Sequence, residues 1–438
     1  MPQRYVVVAI TAVAALWMYI DRVCISILAD PIQTDLGLTD RERARALGAF
    51  FFTYALMQIP VGALADRFGP RLVLTLSIAA WSAVTAATGF IWSFTALVGV
   101  RLLLGITEAG AYPAAAGLVK RWAHPEERGR FSAAVAFGGR VGGAVAPFLT
   151  AWLAVALVTA GAAVWADNPS GVHWRGVFVL YGLAGLAVAL VFWLFVRDKP
   201  ADLLPAEATS PDPDAEWHAM PAGATPPTPA APELSFLGRL ALLARTRNMW
   251  LFGTLQFCNN LSWAFLITLL PTFLKDADVE LGLRSTVQTG VLFAGCVGTF
   301  LGGFVADASR RRFGPRWGRS VPMVAMMGTC AVMCAVAASG PGLWVVVGAL
   351  VLMSLCQDIG IPSVWAFAQD VGGRNVGAAL GWGNMLGNFG AALSPILLTE
   401  VQIAGGWGAA FGVGAAAYVV SVGCGLMLDA TKPVEAEA

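Results

Sequence analysis

Charged side chains are scarce in this sequence. Asp, Glu, Lys and Arg make up 13% of the 438 residues, whereas soluble proteins carry about 25%. The hydrophobic fraction is 57%, and a soluble protein could not bury that much apolar surface. We therefore expect a helical protein that crosses the membrane several times. The net charge of +1 offers no basic footprint for nucleic acid, so nucleic acid is not an expected partner.

Histidine and cysteine are also few. The three histidines fall in predicted loops, so a proton relay through a buried imidazole is not expected: His124, His173 and His218. The seven cysteines lie mostly inside apolar runs without metal-ligand spacing, and we interpret them as small core residues. The spans contain no nucleophile–base set and no plausible metal cluster. The sequence thus predicts a protein that is not an enzyme, with no metal and with no cofactor beyond a coupling ion.

Long apolar runs are what the sequence has instead. A helix needs about 20 apolar residues to cross a bilayer, and these runs are about twice as long as the alternating segments of a membrane β-barrel. We predict an all-α polytopic membrane protein with 12 transmembrane helices in two six-helix bundles around a central cavity. The first run shows no cleavage pattern and is expected to stay as a membrane helix. The predicted spans are 5–29, 44–65, 71–91, 95–119, 131–155, 176–196, 249–273, 287–306, 320–339, 342–368, 374–398 and 406–428.

Composition changes abruptly between the sixth and seventh spans. Pro200 to Pro232 is rich in proline and polar residues without apolar periodicity, which is typical of a disordered tether. Ser235 to Asn248 follows as a predicted amphipathic helix on the membrane surface, with Arg239 on its polar side. The predicted domains are an N-terminal bundle at 1–196, a cytoplasmic linker at 197–248, a C-terminal bundle at 249–430 and a cytoplasmic tail at 431–438.

The orientation follows from the basic residues. Most of the 28 Lys and Arg residues fall in loops on one side of the predicted spans, and such loops face the cytoplasm in membrane proteins. Both termini are therefore expected in the cytoplasm. The protein is expected to be a multi-pass protein of the bacterial inner membrane, with the lipid bilayer as a partner.

Two segments, one in each half, share a spacing. Gly62–Arg71 and Gly303–Arg316 each contain a glycine, three residues, an aspartate, and then basic residues around a Gly-Pro turn. Each aspartate could cap a neighbouring helix or pair with arginine, so that it latches two helices as a gate would. The alternative is a plain loop whose charges follow the orientation rule. The predicted gate residues are Asp66, Arg67, Arg71, Asp307 and Arg311.

The first of these segments carries a resemblance to a known family. Gly62–Arg71 resembles the loop signature of the major facilitator superfamily, and the plan of six plus six spans fits that fold. Three further segments resemble its anion:cation symporter family: Tyr19-Ile-Asp21-Arg22, Arg101 to Glu108 with Pro113, and Glu127-Arg-Gly129. That family includes bacterial sugar-acid/proton symporters and animal vesicular glutamate and sialic acid transporters. The resemblance implies a monomer in which Arg22 holds a substrate carboxylate while Asp21 and Glu108 take up protons.

Ionisable residues inside the spans are the main functional candidates, because each is costly in lipid. Arg101 and Glu108 are two helical turns apart and share a face, so a direct pair is expected. Arg140 departs from the family, which more often has a neutral polar residue there, and it would favour a dianionic or bulkier anion. Asp358 is either a second proton site or a sodium ligand together with Gln357. The alternative for Arg22, Asp21, Arg101 and Glu108 is a static pair that locks helices, and for Arg140 it is pairing with Glu108, Asp21 or a carbonyl.

Further substrate candidates are aromatic or uncharged. Amides and aromatic rings suit organic acids that bear hydroxyl groups, through hydrogen bonds and ring packing, although each could equally form an interhelical hydrogen bond. Tyr54 is similar in position to a substrate-contacting tyrosine of the family. The remaining candidates are Tyr19, Gln256, Trp263, Ser363, Asn384 and Asn388.

Three functions fit these residues. The first is proton-coupled import of a small organic anion, such as a sugar acid, by alternating access. The second, on the same fold, is a sodium-coupled symporter or an anion exchanger or exporter. The third is of another class: a transporter-like sensor that binds its ligand without transporting it.

Overall fold

The computed structural model describes residues 3–159, 170–198 and 235–437, and these form helices with no strand among them. Within those ranges, ten helices are long and apolar enough to cross a membrane, and a bent pair forms an eleventh. One of the ten is a 52-residue helix that breaks at Gly406, where φ is +75°. The break brings the number of apolar segments to twelve, as the sequence predicts. The proline-rich stretch from Pro200 to Pro232, predicted to be a disordered tether, lies outside the described residues.

The described residues of the first half form eight helices. Thr39 starts the second span with a capping box, in which its hydroxyl accepts from the Glu42 N–H and the Glu42 carboxylate accepts from the Thr39 N–H. The fourth span is interrupted at Ala109 and Gly110. The helices are α1 (Gln3–Ile27), α2 (Ala29–Leu36), α3 (Asp40–Phe68), α4 (Pro70–Thr88), α5 (Phe94–Glu108), α6 (Ala111–Trp122), α7 (Arg128–Thr159) and α8 (Trp174–Phe195).

The second half begins after the linker. The seventh span bends by 52° at Leu269, two residues before Pro271, whose ring clashes with the preceding turn of a continuous helix. The helices are α9 (Phe236–Arg245), α10 (Arg247–Thr268), α11 (Leu270–Asp276), α12 (Leu281–Trp317), α13 (Ser320–Ala338), α14 (Leu343–Val371), α15 (Val376–Met427) and α16 (Val434–Glu437).

The halves meet most extensively along two helix pairs, α3 with α15 and α7 with α12. Glycine allows the close approach in both pairs. A Cβ on Gly62 would lie 2.3 Å from the Gly377 carbonyl oxygen, and one on Gly129 would lie 2.9 Å from the Gly303 carbonyl oxygen. Both crossings lie at the end of the bundle that carries Asp66 and Asp307, which we call the latch end.

The linker helix α9 packs against α3 and α15 at the latch end. Arg239, expected on the polar face of this helix, is buried, and its guanidinium lies 3.9 Å from the Asp66 carboxylate. The surface-helix expectation therefore misplaces Arg239. The reason is that Asp66 offers a counter-charge which the linker sequence alone does not reveal.

Candidate functional site

Arg22 and Glu108 form an ion pair between α1 and the midpoint of the fourth span. The Arg22 Nε and Nη2 atoms lie 2.9 and 2.7 Å from the same oxygen, Glu108 Oε2. Glu108 Oε1 is buried and has no hydrogen-bond partner within the described ranges. The Arg22 side chain keeps 13% exposure, and its guanidinium lies 4.4 to 5.0 Å from the ring centres of Tyr19, Phe50 and Tyr54. The pair thus combines a reachable cation with an enclosed acid.

Asp21 points away from this pair into the interior of the first half. Its carboxylate is buried beside the Trp81 indole, and neither oxygen forms a hydrogen bond with any residue that the structure describes. The two sequence neighbours therefore differ in surroundings: Arg22 contacts Glu108 of the fourth span and stays partly exposed, whereas Asp21 is enclosed.

Arg101 lies deeper than Arg22. Its exposure is 3%, its guanidinium lies 4.9 Å from the Phe50 ring centre, and its Nε is buried without a hydrogen-bond partner among the described residues. The expected direct pair of Arg101 with Glu108 is not formed among the described residues, and Glu108 pairs with Arg22 instead. Arg101 therefore adds positive charge behind the site and does not line its open side.

Arg140 and Asp358 form a second ion pair, which joins the two halves. The Arg140 Nη2 atom of α7 lies 2.6 Å from the Asp358 Oδ1 atom of α14. Arg140 is 21% exposed at its side chain while Asp358 is buried, and the guanidinium stacks 5.0 Å from the ring centre of Trp263 on α10. Gln357, proposed as a partner of Asp358, instead accepts a hydrogen bond from the Tyr418 hydroxyl.

Aromatic rings connect the two ion pairs. Tyr19 and Tyr112 lie 6.4 Å apart by ring centre, and Tyr112 contacts Trp365 of the other half at 4.8 Å. The Tyr19 ring also packs on Gly139 and Gly143 of α7. Sequence analysis missed Tyr112, although its place one turn beyond Glu108 was a usable signal.

The polar candidates of the second half are partly used in helix contacts. The Asn384 amide lies 3.5 Å from Gln58 of the first half, and Asn388 donates to the Asn384 carbonyl. Gln256 is buried, and its carbonyl accepts from Asn260. Ser363 is buried, with a hydroxyl that has no partner among the described residues.

The two latch aspartates occupy equivalent places. Asp66 accepts from the N–H groups of Gly377 and Ala378, at 2.8 and 2.9 Å, at the start of α15. Asp307 accepts from the N–H groups of Gly129 and Arg130, at 2.9 and 3.1 Å, at the start of α7. Each half therefore caps a helix of the other half with a carboxylate. The positive end of the helix dipole stabilises that negative charge.

The basic gate candidates contribute less directly to these caps. The Arg71 backbone N–H donates to Asp198, and its guanidinium stacks on Trp193. The Arg67 guanidinium lies 5.1 Å from the Phe68 ring centre, and Arg311 is exposed. The contacts given for Arg71 and Arg67 do not join the two halves.

A further network at the latch end was missed in the sequence. Asp370 at the end of α14 accepts from Arg128 at 2.5 Å and from Arg319 at 2.8 Å, and Lys120 donates to the Gly373 carbonyl. An acidic residue at a span end, opposite loops rich in arginine, was the available signal. Together with the two caps, this network holds the latch end closed. The opposite end has contacts within single halves, such as Asp30 with Arg43 and Asp276 with Trp407.

Comparison with known proteins identifies this architecture. A family model described as Major Facilitator Superfamily matches residues 11–395. The chain belongs to the major facilitator superfamily. Proteins of this superfamily are transporters and not enzymes, so the sequence prediction on this point is confirmed.

Curated relatives of this superfamily member are transporters. It is 30% identical over 414 residues to the "Probable sulfoacetate transporter SauU" of Cupriavidus necator, with 90% of this chain and 86% of the relative covered. It is 27% identical to the "D-galactonate transporter" of Escherichia coli, with 96% of each covered. The crystal structure of the Escherichia coli fucose:proton symporter FucP matches with a TM-score of 0.71 and 16% identity, covering 98% of this chain and 99% of that one. The last likeness confirms the predicted fold.

Proposed function

We propose that this superfamily member is a proton-coupled importer of a small organic anion, such as a sugar acid or another carboxylate. One observation carries the proposal. The Arg22 side chain is partly exposed, and its guanidinium packs against three aromatic rings. Glu108 neutralises it through one oxygen, while the other oxygen of Glu108 has no partner in the described residues. The names of the relatives, which include transporters of galactonate and sulfoacetate, support an anionic substrate.

Charge balance explains how this pair couples anion and proton. In the empty protein Arg22 and Glu108 neutralise each other. Removing one partner of a buried ion pair costs about 3–5 kcal/mol, because the other charge is left uncompensated. A proton on Glu108 frees the guanidinium, and a substrate carboxylate then replaces the lost negative charge. The empty and the fully loaded proteins are both neutral at this site, whereas a protein with only one of the two ligands is not.

The neutral states are the ones expected to change conformation. A rearrangement that removes an unneutralised charge from water is costly in the membrane interior. Protein that holds only the proton or only the anion therefore does not change conformation. The latch-end contacts then open and the opposite end closes, as alternating access requires. In this proposal the latch end and both termini face the cytoplasm, and the chain works as a monomer in the bacterial inner membrane.

Asp21 and Arg101 have supporting roles in the proposal. Asp21 is a second proton acceptor behind Arg22, since its carboxylate is enclosed and has no hydrogen bond in the described part of the chain. Arg101 is a fixed positive charge that keeps the site attractive to anions while Glu108 is ionised.

Transport by purified protein in liposomes tests the proposal. Acid outside and neutral buffer inside should drive accumulation of a radiolabelled sugar acid or sulfonate, and a proton ionophore should abolish it. If accumulation instead requires a sodium gradient at equal pH on both sides, the coupling ion is sodium and not the proton. Counterflow without accumulation under a proton gradient would indicate an exchanger, and binding without either flux would indicate the sensor.

A further inference from the structure

The Arg140–Asp358 pair has the same construction as the Arg22–Glu108 pair. In both, a guanidinium contacts one carboxylate oxygen, packs on at least one aromatic ring and stays partly exposed while the acid is buried. A guanidinium has five N–H donors on three nitrogens. One of these nitrogens, Nη2 of Arg140, donates to Asp358. Arg140 therefore retains donors for a second anionic group.

Tyr19 links the two guanidinium groups. Arg22 lies 5.0 Å from the Tyr19 ring centre, and the same ring packs on Gly139 and Gly143, which flank Arg140 on α7. The Tyr19 ring thus contacts both Arg22 and the segment of α7 that carries Arg140, and one small molecule beside this ring could reach both cations.

Asp358 is held in place more firmly than Arg140. A Cβ on Gly295 would lie 2.3 Å from the Asp358 Oδ2 atom, and one on Gly298 would lie 3.2 Å from its Cβ. Such close packing against α12 leaves the carboxylate little freedom, whereas the long arginine side chain can turn. An arriving anion would draw the guanidinium away from Asp358, and would not move the carboxylate.

We propose that Arg140 is a second anion subsite and that Asp358 is its resident counter-ion, so that the substrate is a small organic dianion with an anionic group at each end. This inference rests on the proposed function and specifies its substrate class. One anionic group binds Arg22, and the other displaces Asp358 from Arg140. The Asp358 carboxylate accepts a proton as the guanidinium leaves, because an unpaired buried carboxylate is unfavourable.

The ionisable groups around Asp358 allow this proton uptake. Besides Arg140 on α7, they are Cys296 on α12, Cys330 on α13 and Tyr418 on α15. Arg140 is the cation among these neighbours. Its departure therefore removes the group that favours the ionised acid. Two guanidinium groups and two carboxylates then balance one dianion and two protons.

Matched ligand pairs test the subsite on the purified, full-length protein in detergent. D-Glucarate and D-gluconate differ in a carboxylate at one end, as do succinate and 4-hydroxybutyrate. Isothermal titration should give the wild-type protein at least about tenfold preference for the dianion of a pair, which is the effect of one charge-assisted contact. Equal affinity within both pairs, or failure of both dianions to bind, would overturn the proposal.

Variants separate the subsite from a static helix lock. Arg140→Gln should lower the dianion preference about tenfold or more, and Arg140→Lys should restore part of it. Asp358→Asn should raise dianion affinity, because the competing carboxylate is gone. A static lock predicts the reverse for Asp358→Asn, namely a lower melting temperature with no gain for the dianion. Arg312→Gln, an exposed arginine at the latch end, is the charge-matched control.

The proton gives an independent readout. Glucarate affinity should rise from about pH 8 to about pH 6 more steeply than gluconate affinity, since the bound state holds an extra proton at Asp358. The additional slope should vanish in Asp358→Asn, and its persistence there would refute the assigned role of Asp358. These binding tests do not require transport, so a protein that binds dianions but does not accumulate them would contradict the proposed function alone.

Discussion

The Arg22 guanidinium makes both of its contacts with Glu108 through a single oxygen, Oε2, and leaves Oε1 buried without a hydrogen-bond partner in the part of the chain that the structure describes. A buried oxygen of this kind is normally satisfied. Protonation would lower the cost of burying it, because a neutral carboxylic acid is desolvated more easily than a carboxylate. The arrangement is therefore suited to an acid that gains and loses a proton as Arg22 changes partner.

Glu108→Gln should abolish accumulation driven by a proton gradient and preserve counterflow exchange of labelled substrate. Glutamine imitates the protonated acid and cannot release a proton, so the anion can cross without coupling. Both fluxes are measured in liposomes. Glu126→Gln, an exposed loop acid, should leave both unchanged. Undiminished proton-driven accumulation by Glu108→Gln would disprove the coupling role.

Arg22→Ala should weaken substrate binding by about a hundredfold or more, since it removes the cation and leaves Glu108 buried without its partner. Arg22→Lys should recover only part of the affinity, because an ammonium cannot reproduce the planar stacking on three aromatic rings. Titration of purified protein gives both affinities. Wild-type affinity in the alanine variant would show that Arg22 does not anchor the carboxylate.

Asp307→Asn should loosen the start of α7 and leave the start of α15 unchanged. The amide loses one acceptor oxygen and the charge that favours the helix N-terminus, so exchange of the Gly129 and Arg130 amide hydrogens should accelerate about tenfold. Asp66→Asn is the reciprocal control and should accelerate exchange at Gly377 and Ala378 instead. Hydrogen exchange with mass spectrometry reads both regions at once. Equal acceleration of both regions by either variant would mean that the caps are not local.

Gly62→Ala should disturb closure of the latch end. The added Cβ would lie 2.3 Å from a backbone oxygen of Gly377, which cannot move without shifting α15, and such overpacking costs about 1–3 kcal/mol. We expect a lower melting temperature and slower transport. Gly412→Ala has no atom within 4 Å of the new Cβ and should be neutral or slightly stabilising. Equal behaviour of the two variants would count against a tight α3–α15 contact.

Several site contacts could be anticipated from single segments. The repeated Gly-x-x-x-Asp spacing placed Asp66 and Asp307 at equivalent positions, and the structure shows both at helix N-termini of the opposite half. The choice between arginine and backbone as partner could not be made, because loop charges are compatible with either. Asp370 was overlooked since its partners Arg128 and Arg319 lie far away along the chain.

The sequence by itself determined the class of protein, the twelve apolar segments and the identity of the charges inside them. These properties are local, because the transfer of each residue into lipid depends on its own chemistry and on a run of neighbours. Only the tertiary structure decided which charges meet. Glu108 pairs with Arg22 rather than Arg101, and Arg140 meets Asp358, 218 residues away. Such partners depend on how helices rotate and how the two halves dock, which the pattern along one helix does not specify.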